Sequence, residues 1–573
     1  MSNKNQVALA GLVLLAILVL HLSIAWQDIA TLSRNGFLYD DSFYAFQIAR
    51  NIADGNGITF DGVHPTTGFQ PLYVFMLVPA FMIAGESLTI PIYIALSMLA
   101  LFTVMTAYLV YRIARKYTGF PAAVIAAAVW GLSPIVARQG TNGLETAVST
   151  FMIALSVFYY LDRIRHEARP GAFRFFIFGM LLGITVLSRI DGVFLVFVLI
   201  LDYLLLLRKR RGTSGTLARM LLLPAGVVLF YGPWLLLNMA QCGSPLQDSG
   251  TATRFLSMAY ATYFENGDAG LAANGPDIAF IWGHVKHSIA TMKVIPPVHV
   301  FFRSLEKTGD IIHAKGFLHI IGNFLGIAAL FLSGIVISRW KRDPDRARRR
   351  QLDFMLLFCG LLILSYSFYV FGAFFFMRYF YPVYMISCIY FSFILDDIIG
   401  WLRARSVVLR RTAISVATAY ALLFMAFTGS QVFRSKPVYP FYDIARWVNE
   451  NTEKGERIGV FQCGMIGYFS DREIINLDGK VNRDALCALK AGSLSGYIQE
   501  EDLDMILDHS RILQIFLDLT SERIKDCCIK VLPEEKTRPS GWIALRRDAL
   551  EIITSAELSG GSGSGPGISP MIK

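Results

Sequence analysis

The sequence predicts a polytopic α-helical membrane protein ending in a small α/β domain. Three observations carry this reading. The 573 residues are 54% hydrophobic and 17% charged, with a mean hydropathy of +0.49, against roughly 25% charged and 45–50% apolar in soluble domains. The apolar residues gather in blocks of about 17–25, the length that crosses hydrocarbon. The blocks stop near residue 430, where mixed charge and short strand-like runs begin. A soluble enzyme, a disordered chain and a disulfide scaffold are excluded. The net charge of +10 does not point to nucleic acid, because most Lys and Arg sit in short loops between apolar blocks. Seven Cys without a CxxC pair give no metal or redox pattern.

Residues 7–25 form the first block. At 19 residues it is long for a signal-peptide core, and no small-x-small site follows, so it reads as a retained helix with Lys4 on the cytoplasmic side. Further blocks near 88–111, 120–137, 145–161, 172–187, 191–207, 219–239, 317–338, 354–372, 378–395 and 412–430 bring the number of spans to about 11. Residues 71–84 are the ambiguous stretch. If they do not span, the loops holding Arg112, Arg163, Arg208, Arg339 and Arg403 all face one side with about 22 Lys and Arg, against about five opposite. If they do span, that bias is destroyed. The stretch is also short and has Pro near both ends, so an interfacial or re-entrant helix fits better. The amino terminus is then inside and the carboxyl terminus outside.

This topology divides the chain into a membrane domain, 1–430, with outer loops 26–87 and 240–316, then an outer α/β domain, 431–556, and a flexible Gly/Ser-rich tail, 557–573. In the α/β domain, residues 457–461 and 473–478 read as strands. Residues 446–449, 484–492 and 501–509 read as helical.

The candidate chemistry lies on the outer side. The first loop carries Asp40 and Asp41 at the start of a helix predicted to run to Ala53, with Tyr44 one turn on. Adjacent helical residues point about 100° apart, so one carboxylate can face a cavity while the other caps the helix. On spacing alone, two caps on a solvated loop are as good a reading as a catalytic pair. Glu145 enters a span from an outer loop, where a carboxylate faces a cavity or partner, or simply starts a helix. Arg189 and Asp191 fit a salt-bridged outer turn slightly better than a substrate site. Arg378 with Tyr379, and Arg254, complete an outer set of acids and guanidiniums, and the planar guanidinium fork suits phosphate. In the α/β domain, Asp478 and Asn482 follow a strand in CGMIGYFSDREIINLDGKVNRDA. Packing over the membrane domain is the preferred role for that stretch, and acceptor recognition is the alternative.

In order, these motifs resemble the GT-C superfamily of integral-membrane glycosyltransferases, and within it the protein O-mannosyltransferase, lipid A aminoarabinose transferase and RgtA-like group. The resemblance covers roughly residues 1–430. It rests on Asp40-Asp41-Ser42-Phe43-Tyr44, ARNIADGNG, the PPLY-like QPLY, the GxETA-like step Gly143–Ala147, the R-x-D-G turn at Arg189–Gly192 and the RY-x-x-P step at Arg378–Pro382. It implies transfer of a sugar from a polyprenyl-phosphate-linked donor to a lipid, glycan or protein hydroxyl, with inversion. Asp40 is implied as general base and Glu145 as second acid, with Asp41 secondary. Some relatives carry a Lys before the PPLY step to hold phosphate. Here that residue is Gln70, which leaves Arg378, Arg254 or His64 for the task. The implied scheme requires no metal or other cofactor, although the acid pair could hold a divalent cation. The default setting is a bacterial inner membrane, with the site facing the periplasm and membrane lipids around the spans. The non-enzyme alternative is a transporter or flippase of an anionic or lipid-linked substrate. Asp202, deep in the 191–207 block, is the residue that favours it.

Overall fold

The computed structural model describes residues 2–167, 170–209, 219–266, 350–369, 377–412, 440–509, 542–546 and 550–553, with a few isolated positions besides. The spans expected at 317–338 and, almost wholly, at 412–430 lie outside the described residues, as does the tail after 556.

The membrane part is helical: α1 (Asn3–Ala25), α2 (Ile29–Arg34), α3 (Asp40–Ala53), α4 (Pro71–Ala84), α5 (Ile90–Arg115), α6 (Phe120–Gly131), α7 (Pro134–Gln139), α8 (Thr146–Tyr159), α9 (Ala172–Ser188), α10 (Gly192–Lys209), α11 (Leu222–Cys242), α12 (Asp248–Asn266), α13 (Asp353–Tyr369) and α14 (Tyr381–Arg403). Among the described residues five helices are long and apolar enough to cross a membrane: Asn3–Ala25, Ile90–Arg115, Thr146–Arg165, Leu222–Gln241 and Arg378–Arg403. The block expected at 120–137 is split. Pro134 has no N–H to continue the helix, and the Ser133 hydroxyl accepts from Val136 N at 3.2 Å, restarting the chain as α7. Beyond α8 the chain continues through a π-helical turn, Tyr160–Arg165. There Arg165 bonds Asp202 at 2.9 Å and the Tyr160 hydroxyl donates to the same carboxylate at 2.5 Å. Asp202 is therefore partnered within the bundle.

Helix α4 has 14 residues. At 1.5 Å per residue that is about 21 Å, short of the roughly 30 Å hydrocarbon layer. Its Tyr73, Val74, Leu77 and Phe81 are buried, while Met82 and Ile83 are exposed. Helix α3 also shows why it forms. Phe43, Phe46 and Ala49 recur at the spacing of a helical stripe, and Ser42, Tyr44, Ala45, Ile48 and Asn51 are buried with them.

The C-terminal segment carries α15 (Phe441–Asn451), β1 (Arg457–Val460), α16 (Gly464–Phe469), β2 (Glu473–Asn476), α17 (Arg483–Ala491), α18 (Leu494–Glu500), β3 (Met505–His509), β4 (Trp542–Arg546) and β5 (Leu550–Ile553). The sheet order is β2-β1-β3-β4-β5. Strands β1, β2 and β3 are mutually parallel, and β4 and β5 add antiparallel. The helix expected over 501–509 is corrected to strand β3. Met505–Asp508 are buried throughout, because a central strand is covered on both faces and loses the alternation that identifies a strand in sequence.

One apolar cluster joins the two parts. Phe43 and Phe46 of α3, Leu77 and Phe81 of α4, and Ile92 of α5 pack in the same buried group as Val460, Met465, Tyr468, Leu507 and Trp542. Polar clasps rim this contact. Arg34 makes a two-pronged bond to Asp443 at 3.1 and 2.6 Å. His64 lies between Asp61 (2.8 Å) and Glu501 (3.3 Å).

Candidate active site

The acid pair opens α3, and its cap position, Tyr39, supplies no side-chain capping bond. Asp40 instead caps a different helix. Its Oδ1 accepts from Met465 N at 2.7 Å and its Oδ2 from Gly464 N at 3.2 Å, at the amino end of α16. Gly464 is required there, since a Cβ would stand 2.2 Å from the Asp40 carbonyl oxygen. The loop ahead of α16 is held in turn by Asp508, whose Oδ2 accepts from Phe461 N (3.0 Å) and Gln462 N (2.8 Å).

Asp41 points to cations. Its Oδ2 accepts from Arg378 Nη2 at 2.7 Å and its Oδ1 from Lys480 Nζ at 3.4 Å. The Lys480 ammonium also stands 3.2 Å from Asp478 Oδ2 and 5.9 Å from the centre of the Tyr44 ring. Adjacent carboxylates thus have opposite surroundings. Burial, with help from the Asp41 charge, pushes Asp40 up to about 7, against the pull of the Met465 N–H, Lys480 and the Gly464 N–H. Burial would raise Asp41 too, but the charges of Lys480 and Arg378 prevail and hold it well below the usual carboxylate range.

A chain of side chains leads from this pair to the other candidates. Arg378 lies over the Tyr379 ring at 5.3 Å, and Tyr379 stacks on Tyr366 at 4.4 Å. Tyr366 donates to Asp191 Oδ2 at 2.6 Å and accepts from Arg189 Nη2 at 2.7 Å. Arg189 is buried, is also 5.5 Å from the Tyr379 ring, and closes on Glu145 and on Asp191 at 3.1 Å. Glu145 and Asp191 therefore share one guanidinium, as the salt-bridged-turn reading has it. The GxETA-like step also packs on the acid helix. Gly143 has φ +76° and no room for a Cβ against Ser42, and its carbonyl accepts from the Tyr73 hydroxyl at 2.8 Å.

Four other sequence candidates have different surroundings. His64 joins Asp61 and Glu501, and those bonds and charges raise its pKa from the ordinary value. Arg254 is exposed and stands over the Tyr369 ring at 5.6 Å. Gln70 occupies the cap position of α4 without capping it, and its Oε1 is buried with no bonding partner. Asn482 caps α17 through Asp484 N and Ala485 N. Sequence reasoning missed Lys480, the backbone of Gly464–Met465, Tyr366 and Asp508. The only signal for the first two was the Gly-containing stretch after β1, and no motif marks the others. Among the described residues no group of three or more His, Cys, Asp or Glu converges as a metal site.

Residues 64–235 match the family described as dolichyl-phosphate-mannose-protein mannosyltransferase, and residues 430–554 match a domain of unknown function (DUF8728). The chain is similar in structure to ArnT from Cupriavidus metallidurans bound to undecaprenyl phosphate, with a TM-score of 0.55 at 12% identity over 96% of this chain and 99% of that one. For the apo state of ArnT the values are 0.54, 13%, 98% and 100%. The archaeal oligosaccharyltransferase AglB from Archaeoglobus fulgidus, in complex with an inhibitory peptide and a dolichol-phosphate, is more distant, with a TM-score of 0.45 at 16% identity over 87% of this chain and 70% of that one. No curated protein matches the sequence. The chain is an integral membrane protein of GT-C fold. It resembles the ArnT and protein mannosyltransferase group of glycosyltransferases.

Proposed function

We propose that the chain is a glycosyltransferase that moves a sugar from a polyprenyl monophosphate to an acceptor hydroxyl, with inversion. The observation that carries this reading is the split acid pair. Two adjacent carboxylates whose surroundings push their protonation apart are the mark of assigned acid–base roles, and Asp40 and Asp41 differ in that way. A group near pH 7 is the one suited to take a proton.

In the proposed step the acceptor hydroxyl loses its proton to Asp40 as its oxygen bonds the anomeric carbon. The bond from that carbon to the phosphate oxygen breaks, and the polyprenyl phosphate leaves with the electron pair. Asp40 loses a negative charge as the phosphate gains one, so the net charge of the site is unchanged. A carboxylate offers about four lone-pair positions, so two N–H bonds leave Asp40 room for the acceptor. Arg378 would stabilise the developing phosphate charge, with Asp41 setting its orientation. The prenyl chain would lie along α4. Tyr44 and Tyr379 would flank the reacting groups, with Arg189, Asp191 and Glu145 supporting Tyr379 from behind. Undecaprenyl phosphate bound to ArnT, a protein of the same fold, supports this choice of donor lipid. The proposed setting is a bacterial inner membrane with the site on the periplasmic side. No cofactor enters the scheme.

The test is mass-spectrometric detection of polyprenyl phosphate released from a panel of sugar-loaded polyprenyl monophosphates, with membrane extract as acceptor. Release from one or a few donors, giving the inverted glycoside, is expected. No release from any donor, with accumulation of lipid-linked sugar across a vesicle membrane instead, would replace this reading with transport.

A further inference from the structure

We propose that Lys480, delivered by the C-terminal segment, contacts the substrate: its ammonium and the Arg378 guanidinium together hold the phosphate of the lipid-linked donor. This rests on the donor reading above and adds to it the residue that the membrane part does not itself contain.

The backbone around Lys480 is fixed in a way that aims the side chain. Asp478 Oδ1 accepts from Lys480 N at 3.0 Å and from Asn476 Nδ2 at 2.9 Å. The Lys480 carbonyl presses so closely on Gly68 that a Cβ there would stand 1.8 Å from it. Gly68 lies just ahead of α4, so this loop is docked where the first loop meets the helix proposed to carry the prenyl chain. From that point the ammonium reaches Asp41, the carboxylate Arg378 already holds at 2.7 Å. Residues about one hundred positions apart in sequence thus bring two cations to one spot.

The strengths of the contacts differ. A charge-assisted N–H···O bond is normally 2.7–2.9 Å. Arg378 meets that standard with Asp41, so Asp41 is already neutralised. Lys480 stands at 3.4 Å from Asp41 and 3.2 Å from Asp478, a loose position between two carboxylates. A phosphate oxygen can take the place of Asp41, which keeps its bond to Arg378, while the buried Asp478 stays beside the ammonium. The cluster is not sealed either: the side chains of Lys480 and Asp41 are 25% and 29% exposed. A lysine serving only to pin the segment would be expected to close on one partner and be covered by it. That pinning is already supplied by the buried apolar cluster and by the Arg34–Asp443 clasp.

The test compares binding of undecaprenyl phosphate and of uncharged undecaprenol to the full-length purified chain. Wild type, Lys480→Ala and Lys480→Arg are measured, with KM and kcat for donor turnover alongside. Loss of one charged contact weakens binding by about 10- to 100-fold. Lys480→Ala is expected to lose that factor for undecaprenyl phosphate and to raise KM more than it lowers kcat. Binding of undecaprenol should be unchanged, and Lys480→Arg should recover most of the loss. Equal binding of undecaprenyl phosphate by wild type and Lys480→Ala would overturn the proposal. So would a parallel loss of both lipids, the mark of a merely structural lysine. Failure of wild type to prefer the phosphate over the alcohol would remove the donor reading itself, and this assignment with it.

Discussion

At the residue scale, Asp40 and Asp41 share a helical turn but not a chemistry. Because burial holds Asp40 near 7, its basic form is populated only as pH rises through that value. The rate of the wild type is therefore expected to climb through about pH 7 and level off above it, as a pH series of kcat/KM would record. The Asp41 charge helps to raise Asp40. Asp41→Asn removes that repulsion, so the midpoint should move to lower pH, and an unmoved midpoint would detach the two residues. Arg189 is a different case. It is buried between Glu145 and Asp191, and Arg189→Ala would strand both carboxylates, at a cost of about 3–5 kcal/mol. A large fall in the thermal midpoint is expected for Arg189→Ala and only a small one for Asp40→Asn.

At the scale of elements, the contact between α3, α4 and α16 decides whether the site exists. Gly464 permits it. Gly464→Ala would drive a Cβ into the Asp40 carbonyl, and overpacking of this kind costs about 1–3 kcal/mol. Both stability and turnover should fall, and turnover should not recover at saturating donor. His64 adds a pH-dependent clasp between the first loop and α18. Its bond to Asp61, with the nearby Glu501 charge, raises its pKa in the folded protein from 6.5. Its stabilising contribution is therefore complete below about pH 6.5 and is lost as pH rises through the higher folded value. His64→Gln should lower the melting temperature under mildly acidic conditions and match wild type well above neutrality.

At the scale of the whole molecule, the part legible in the sequence was the part written in local pattern. Apolar length and basic loops announced the helices. The charges and turn residues of the first loop announced α3 and α4. Strand β3 was misread because a strand buried on both faces has no alternation to detect. The site was only half legible. Asp40, Asp41, Glu145 and Arg378 stand out as charges at the ends of apolar blocks. Lys480, Gly464 and Asp508 do not, because their meaning depends on the C-terminal sheet docking on the first loop, a contact across more than 400 residues of chain. No spacing rule reports such a contact. His64 too acquires Glu501 as a neighbour, beside Asp61, only once the segments meet.

The central claim is that Asp40 takes the acceptor's proton in a site completed by the C-terminal segment. It is tested most directly by single-turnover release of polyprenyl phosphate from the preferred donor, in wild type, Asp40→Asn and Asp41→Asn, with donor binding measured on the same samples. The account predicts a loss of at least about 100-fold for Asp40→Asn, with donor bound as in wild type, and a smaller loss for Asp41→Asn that includes weaker donor binding. Release by Asp40→Asn at the wild-type rate would contradict it.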